Sequence, residues 1–244
     1  MTDAELALKL AETAGQLLIT LRQSGLVDGK ALGAAGDAVA HQFLVQALAH
    51  QRPDDGVLSE EGARDPARLA KSRVWIVDPL DGTREYSEVR PDWAVHVALA
   101  IDGVAAIGAV AQPDLGVAYC TDAAELGPCP GALKILVSRT RPPEEAERAA
   151  KALGAELVGM GSAGAKTMAV VRGEAHAYVH SGGQYEWDSC APVAVAQAAG
   201  LHVSRLDGSP LIYNCEDPYL PDLVVCRPEL SEAILGFLAA HGTD

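Results

Sequence analysis

Aromatic side chains are scarce in this chain of 244 residues, with three Trp, two Phe and six Tyr. Any core must therefore be filled mainly by Ala, Val and Leu. Basic residues are in deficit: 19 Lys and Arg stand against 33 Asp and Glu, for a formal charge of −14. This argues against a nucleic-acid-binding surface, which needs clustered cations facing the phosphates. Surplus carboxylates fit metal binding, and fit an acidic, soluble surface equally well. No run approaches the roughly 18 consecutive apolar residues of a membrane span. The first residues are acidic and helical in pattern rather than basic and then apolar, so no signal peptide is read and a cytoplasmic protein is expected. Cys120, Cys129, Cys190, Cys215 and Cys226 are odd in number and lack C-x-x-C spacing. That disfavours a disulfide framework and a zinc site, and leaves reduced thiols.

What is present reads as an ordinary globular chain, long enough for one large domain or two that share an interface. Leu6, Leu10, Ala14, Leu17, Leu18 and Leu21 recur at helical spacing, predicting a helix over 3–24. A Gly- and Ala-rich loop follows, and the helical pattern resumes from Asp37 to Ala49. After a Pro53–Gly56 turn come a short strand at Val57-Leu58 and an apolar strand at Val74–Val77. Residues 93–101 and 104–111 form a predicted hairpin about Asp102-Gly103, with another strand over Gly116–Thr121. From about Lys134 strands and helices alternate: strands at 135–137, 157–158 and 175–179, helices at 143–153, 163–172 and 189–199. Alternation of this kind predicts an α/β unit with a largely parallel sheet. The Pro128–Gly131 stretch is the expected boundary, giving an N-terminal α+β domain over 1–130 and a C-terminal α/β domain over 131–244.

Four acidic features stand out. Glu60-Glu61 follows a short strand and reads also as a surface charge pair. Asp78-Pro79-Leu80-Asp81-Gly82-Thr83 closes an apolar strand with two carboxylates three residues apart, hard oxygen ligands of the kind Mg²⁺ takes, and reads also as a turn. Trp187-Asp188 precedes a helix and Asp37 begins one, so each is equally a helix cap.

Taken together, the Glu-Glu pair, the Asp-Pro-Leu-Asp-Gly-Thr block and Trp187-Asp188-Ser189-Cys190-Ala191 resemble the inositol monophosphatase-like superfamily of lithium-sensitive phosphatases. The resemblance runs the length of the chain. It implies a layered αβαβα sandwich of the inositol monophosphatase and fructose-1,6-bisphosphatase type. It implies two or three Mg²⁺ ions held by Glu60, Asp78, the Leu80 carbonyl, Asp81 and Asp188, with Asp81 shared between ions. Glu61 would orient a water, and Asp37 with Thr83 would position and deprotonate the attacking one. The backbone of Gly82 and Thr83, and Asp188, would contact substrate.

The substrate is read from other residues. Inositol monophosphatases carry a Glu seven residues before the last metal Asp, where this chain has Ser181. Val57-Leu58-Ser59-Glu60-Glu61, Arg84-Glu85-Tyr86 after the Gly-Thr, and Asp207-Gly208-Ser209-Pro210-Leu211 with Tyr213 resemble instead the 3′(2′),5′-bisphosphate nucleotidase (CysQ) branch, in its actinobacterial form. Gly161-Ser162-Ala163-Gly164-Ala165-Lys166 stands where that branch has a Gly-Ser-Ser-x-Lys segment. Ser162 and Lys166 would then meet the substrate's second phosphate or ribose, although Lys166 reads equally as an exposed helix lysine. The branch implies hydrolysis of the 3′-phosphate of adenosine 3′,5′-bisphosphate in sulfate assimilation, with possible action on its sulfated relative, and inhibition by Li⁺. Inositol-1-phosphate and fructose-1,6-bisphosphate are the alternative substrates, and a silent metal- or nucleotide-binding regulator the alternative of another class. The expected partners are a small phosphorylated nucleotide or sugar and a second copy of the chain, with no nucleic-acid polymer and no membrane. His41, His96, His180 and Cys190 are read as structural, since the metal chemistry needs no imidazole.

Overall fold

The computed structural model describes residues 1–241. In chain order the elements are α1 (Asp3–Gln23), α2 (Gly29–Gln51), β1 (Gly56–Ser59), β2 (Arg73–Asp81), α3 (Thr83–Ser87), β3 (Ala94–Ile101), β4 (Val104–Gln112) and β5 (Val117–Cys120). There follow β6 (Lys134–Ser138), α4 (Glu144–Leu153), β7 (Glu156–Met160), α5 (Ala163–Arg172), β8 (Ala177–Tyr185), α6 (Glu186–Ala198), β9 (His202–Ser204), β10 (Tyr219–Cys226) and α7 (Ser231–His241). None of the described helices is long and apolar enough to cross a membrane.

Strand alternation explains how these elements stack. In β2, Trp75 and Val77 face α1 and α2, where they join Leu6, Leu10, Leu18, Leu44 and Leu48. Val74 and Ile76 point to the opposite face and pack with α5 and α6 residues such as Met168, Val171, Val193 and Ala194. The second sheet covers those same helices with Leu136, Tyr178 and Val225. Its far face presents Ile135, Val137, Val179 and Val224 to α4 and α7. Each sheet is thus buried on both faces, and the layers run helix, sheet, helix, sheet, helix. With few aromatics, small side chains set the spacing: at Gly108 of β4 a Cβ would lie 2.4 Å from the Ala191 carbonyl of α6.

The first sheet runs β1-β2-β3-β4-β5, with β1 parallel to β2 and the remaining pairs antiparallel. The Asp102-Gly103 turn sits where expected, both residues at positive φ of 49° and 81°. That backbone follows the strand twist in a two-residue hairpin. The second sheet runs β7-β6-β8-β10-β9 and is mixed rather than largely parallel: β6 pairs in parallel with β7 and β8, while β10 is antiparallel to β8 and β9. The alternation through 199 led to the parallel expectation. The short β9 and the strand β10, beyond a polar 205–218 stretch, then complete the sheet by antiparallel pairing.

A second correction concerns α2. The Gly- and Ala-rich segment is helix, not loop, and Asp37 lies inside α2 rather than at its start. Its glycines are a packing seam. A Cβ on Gly33 would lie 2.6 Å from Ser87 Oγ and 2.9 Å from Thr83 Cγ2, and one on Gly36 would lie 3.0 Å from Leu80 Cδ2. Helix propensity disfavours glycine by about 1 kcal/mol per residue, yet here its lack of a side chain lets α2 lie directly on α3. Close packing overrides propensity at this seam.

Candidate active site

Parallel pairing of β1 with β2 places Ser59 opposite Val77. The next residues, Glu60 and Asp78, are therefore neighbours at the strand ends. The Glu60 N–H donates to the Val77 carbonyl (3.3 Å), and Gly62 N–H closes the turn on Ser59 O (3.1 Å). Strand β2 continues through Asp78-Pro79-Leu80-Asp81, with a register shift against β3 between the two aspartates. Pro79 has no N–H to give to a ladder, so a bulge is the natural accommodation. The Leu80 N–H turns back to Asp78 Oδ1 at 3.0 Å. This bulge sends both carboxylates to one side.

Asp188 arrives from the second half of the chain. Helix α6 begins at Glu186, earlier than expected, so Asp188 lies within its first turn and its Oδ2 accepts the Tyr185 N–H at 2.7 Å. One carboxylate oxygen each from Asp78, Asp81 and Asp188 lie within 4.8 Å of one another. The Glu60 carboxyl lies beside Asp78 and raises its proton affinity.

Crowding of buried carboxylates must raise proton affinity. Burial and the neighbouring Glu60 and Asp81 push Asp78 well above the usual carboxylate range. Burial and the charge of Asp81 push Asp188 up to about 7. Glu60 exposes part of its surface, but its carboxyl is desolvated among its neighbours, and with Asp188 this lifts it to about 7. Asp81 goes the other way. Burial would raise it, but His96 and Ser162 outweigh that and hold it at about 2. His96 Nε2 lies 3.1 Å from Asp81 Oδ2, while Ser162 Oγ (2.5 Å) and the N–H groups of Ala163 (3.2 Å) and Gly164 (2.7 Å) donate to the same carboxylate. Asp81 therefore sits ionised at the start of α5, where backbone donors favour an anion.

Gly82, at φ 89°, turns the chain into α3. The Thr83 hydroxyl that follows lies 3.0 Å from Leu80 O and 3.3 Å from Asp37 Oδ1, with donor geometry toward both. Burial and the charge of Glu61 raise Asp37 to about 6. Glu61 itself is exposed.

Lys166 is neither an exposed helix lysine nor an open anchor. It is 4% exposed, and its Nζ donates to the carbonyls of Ser162 (2.7 Å) and Gly161 (3.1 Å). The ammonium also lies 4.9 Å from the centroid of Tyr178. Burial lowers it to about 8 against the pull of Asp81. In this structure Lys166 braces the Gly-Ser loop from behind, and Ser162 faces Asp81 rather than open space.

His96 carries more of the site than its sequence context suggested. It is fully buried, its Nδ1 lies 3.1 Å from the Trp187 carbonyl beside Asp188, and its Nε2 meets Asp81. One imidazole thus spans ligands from both halves of the chain. The available signal was a lone polar residue in an otherwise apolar strand. Asp92 was also missed: it takes the Gly161 N–H at 2.7 Å and a two-point ion pair from Arg90. Ser181, standing where an inositol-reading Glu would be, donates instead to Glu145 at 3.1 Å.

Comparison with known proteins gives the family. The family model described as "Inositol monophosphatase family" matches residues 3–240. A 3′-phosphoadenosine 5′-phosphate phosphatase of Mycobacterium leprae is 50% identical over 254 aligned positions, covering 98% of this chain and 94% of that protein. The enzyme of the same description from Mycobacterium tuberculosis is 52% identical over 238, covering 93% and 89%. The 3′(2′),5′-bisphosphate nucleotidase CysQ of Escherichia coli is 32% identical over 202, covering 76% and 81%. Among solved structures, CysQ from Bacteroides thetaiotaomicron superposes with a TM-score of 0.80 at 27% identity, over 92% of this chain and 97% of that one. With the family model spanning nearly every residue and the same layered fold in a solved relative, this chain belongs to the inositol monophosphatase family.

Proposed function

We propose that this protein is a Mg²⁺-dependent phosphomonoesterase that hydrolyses the 3′-phosphate of adenosine 3′,5′-bisphosphate, giving AMP and phosphate. The observation that carries the chemistry is the convergence of Asp78, Asp81 and Asp188 within 4.8 Å, with Glu60 against Asp78. The donor set is wholly hard oxygen and largely buried, which suits Mg²⁺. We assign Glu60, Asp78, the Leu80 carbonyl, Asp81 and Asp188 to its coordination. When bound, two such ions lower the pKa of the attacking water and neutralise charge on the phosphoryl group and leaving oxygen.

The chain's own residues handle the proton and the substrate. When the Thr83 hydroxyl donates to Asp37, its lone pairs are free to accept from a water. The water's proton can pass to Thr83 Oγ1 as the hydroxyl proton moves to Asp37, whose affinity near 6 suits a base at neutral pH. The water oxygen bonds to phosphorus, the P–O3′ bond breaks, and the departing oxygen takes a proton from solvent. We assign Glu61 to orienting a water, and the N–H groups of Gly82 and Thr83 to the phosphate. Asp188 faces the substrate side, and Ser162 with Lys166 shapes the loop on which the rest of the nucleotide lies.

Substrate choice rests on the relatives about 50% identical over nearly the whole chain and named for this phosphatase activity. Ser181, tied to Glu145, supplies no inositol-reading carboxylate. Clearance of this by-product in sulfate assimilation is the corresponding role, in a cytoplasmic homodimer whose assembly sedimentation can measure. The test is phosphate release with Mg²⁺ from adenosine 3′,5′-bisphosphate, its sulfated analogue, inositol-1-phosphate and fructose-1,6-bisphosphate. Higher kcat/KM on the nucleotide is expected. Faster turnover of either other ester overturns the assignment.

A further inference from the structure

Asp188 comes from one half of the chain and Glu60, Asp78 and Asp81 from the other. Something must fix their relative position before any ion arrives. The 3₁₀ turn Pro66–Ala70, which follows Glu60 and Glu61 on the way to β2, carries Arg68, only 3% exposed. The Arg68 guanidinium reaches across to the 214–216 segment, donating to Asn214 Oδ1 (2.6 Å) and to the Cys215 carbonyl (2.8 Å). Asn214 Nδ2 returns a bond to the Arg68 carbonyl at 3.2 Å. On its other side the same segment is bound to α6: the N–H groups of Asn214 and Cys215 donate to Glu186 at 2.6 and 2.7 Å. Glu186 is 1% exposed and opens α6, two residues before Asp188.

Neighbouring bonds point the same way. Tyr213 N–H donates to the Gly103 carbonyl of the first sheet's hairpin (2.9 Å), while its hydroxyl meets Ser189 Oγ of α6 at 3.2 Å. Asn214 adopts a left-handed φ of 62°, a conformation Asn tolerates better than most residues. A buried Glu and a buried Arg share one strained loop residue, and neither side chain belongs to the carboxylate cluster. Through residues 213–215 the network joins the first sheet's half, at Arg68 and Gly103, to the first turn of α6, at Glu186 and Ser189.

We propose that Arg68, Asn214 and Glu186 form a clamp that sets the Mg²⁺ affinity of the site by fixing Asp188 against the carboxylates of β1 and β2. The inference rests on the Mg²⁺ reading given above. These are positioning residues: they touch neither substrate nor the reacting atoms. Loss of the clamp lets the α6 start tilt, so that ion binding must supply the ordering the clamp now supplies in advance. Supporting partners of metal ligands typically change affinity by about 10- to 100-fold when removed.

The test uses the full chain with Arg68→Met, which removes the donors, and Asn214→Gly, which removes the amide while easing the backbone. Two Mg²⁺ titrations are read, one by the rise in Tm without substrate and one by kcat. The clamp predicts a midpoint raised about tenfold in both, with kcat at saturating Mg²⁺ within about twofold of the parent. Arg68→Lys, which keeps a donor to Asn214, should recover part of the shift. A lowered Tm with an unmoved Mg²⁺ midpoint makes the network merely structural and overturns the proposal, as does a fall in saturated kcat alone. A parent protein without any Mg²⁺ response overturns the metal reading itself, and this inference with it.

Discussion

Replacing Asp188 by Asn should make the metal-free protein more stable while destroying its activity. The Asn Oδ1 can still accept the Tyr185 N–H that Asp188 takes at 2.7 Å, so the helix start is kept and only charge is lost. Folding raises the pKa of this carboxyl from 3.8 to about 7. A group raised in this way favours the fold while protonated, and that contribution disappears as pH climbs through the folded-state value. The cost of its charge thus grows from about pH 4 and is complete above about pH 7. A shift of roughly three units at about 1.4 kcal/mol per unit gives on the order of 4 kcal/mol. Solvent screening of a partly exposed group reduces this to about 2 kcal/mol. For a chain of this size, about 2–4 °C per kcal/mol translates that into a Tm roughly 5 °C higher for the variant at pH 8 in chelator. Near pH 4 parent and variant should converge. Mg²⁺ should raise the parent's Tm at pH 8 more than the variant's, which keeps Glu60, Asp78, the Leu80 carbonyl and Asp81 but has lost one ligand, since a ligand that binds only the folded state stabilises it. Calorimetry or dye-monitored melting in EDTA and in Mg²⁺ measures all of this. A variant no more stable than the parent at pH 8 without metal, or one equally stabilised by Mg²⁺, would refute the account of the cluster.

Three further outcomes follow from the geometry. Thr83→Val keeps the shape but removes the hydroxyl bridging Leu80 O and Asp37, so kcat should fall at least about 100-fold with a change in Tm of only a few degrees; steady-state kinetics beside a melt separates the two. Asp37, raised to about 6, must be ionised to accept a proton, so kcat/KM should rise with pH through about 6. Asp37→Asn should abolish that acid limb, which a pH–rate profile reads directly. Gly164→Ala would put a Cβ 2.0 Å from His96 Nε2, displacing the imidazole from Asp81; a loss of about 1–3 kcal/mol in denaturant melts is expected, with a weakened Mg²⁺ response.

The sequence was most legible where chemistry requires particular residues at particular spacing. Asp78-Pro79-Leu80-Asp81-Gly82-Thr83 marked a strand end with two candidate cation ligands, because carboxylates three apart beside a proline invite a cation; the strand's continuation through Asp81 with a bulge is a property of the fold. The layered architecture followed from the family resemblance carried by such motifs. Where a residue's role depends on what lies across a gap, local reading misled. Gly33 and Gly36 have the local signature of a loop, but their missing side chains are what bring Asp37 within reach of Thr83. Lys166 looks like a free cation and is bound by its own loop's carbonyls. His96 looks like one polar residue in an apolar strand and spans the two halves of the site.

The sequence by itself determined the ligand chemistry, the order of the motifs and thereby the reaction class, because oxygen donors and turn residues are properties of side chains. Only the tertiary structure decided which carboxylates crowd together, which one is surrounded by hydrogen-bond donors and which loop ties the start of α6 to the first half of the chain. Those properties come from burial and from contacts between residues far apart in the chain. Arg68 and Asn214, separated by most of the sequence, meet only in the folded chain.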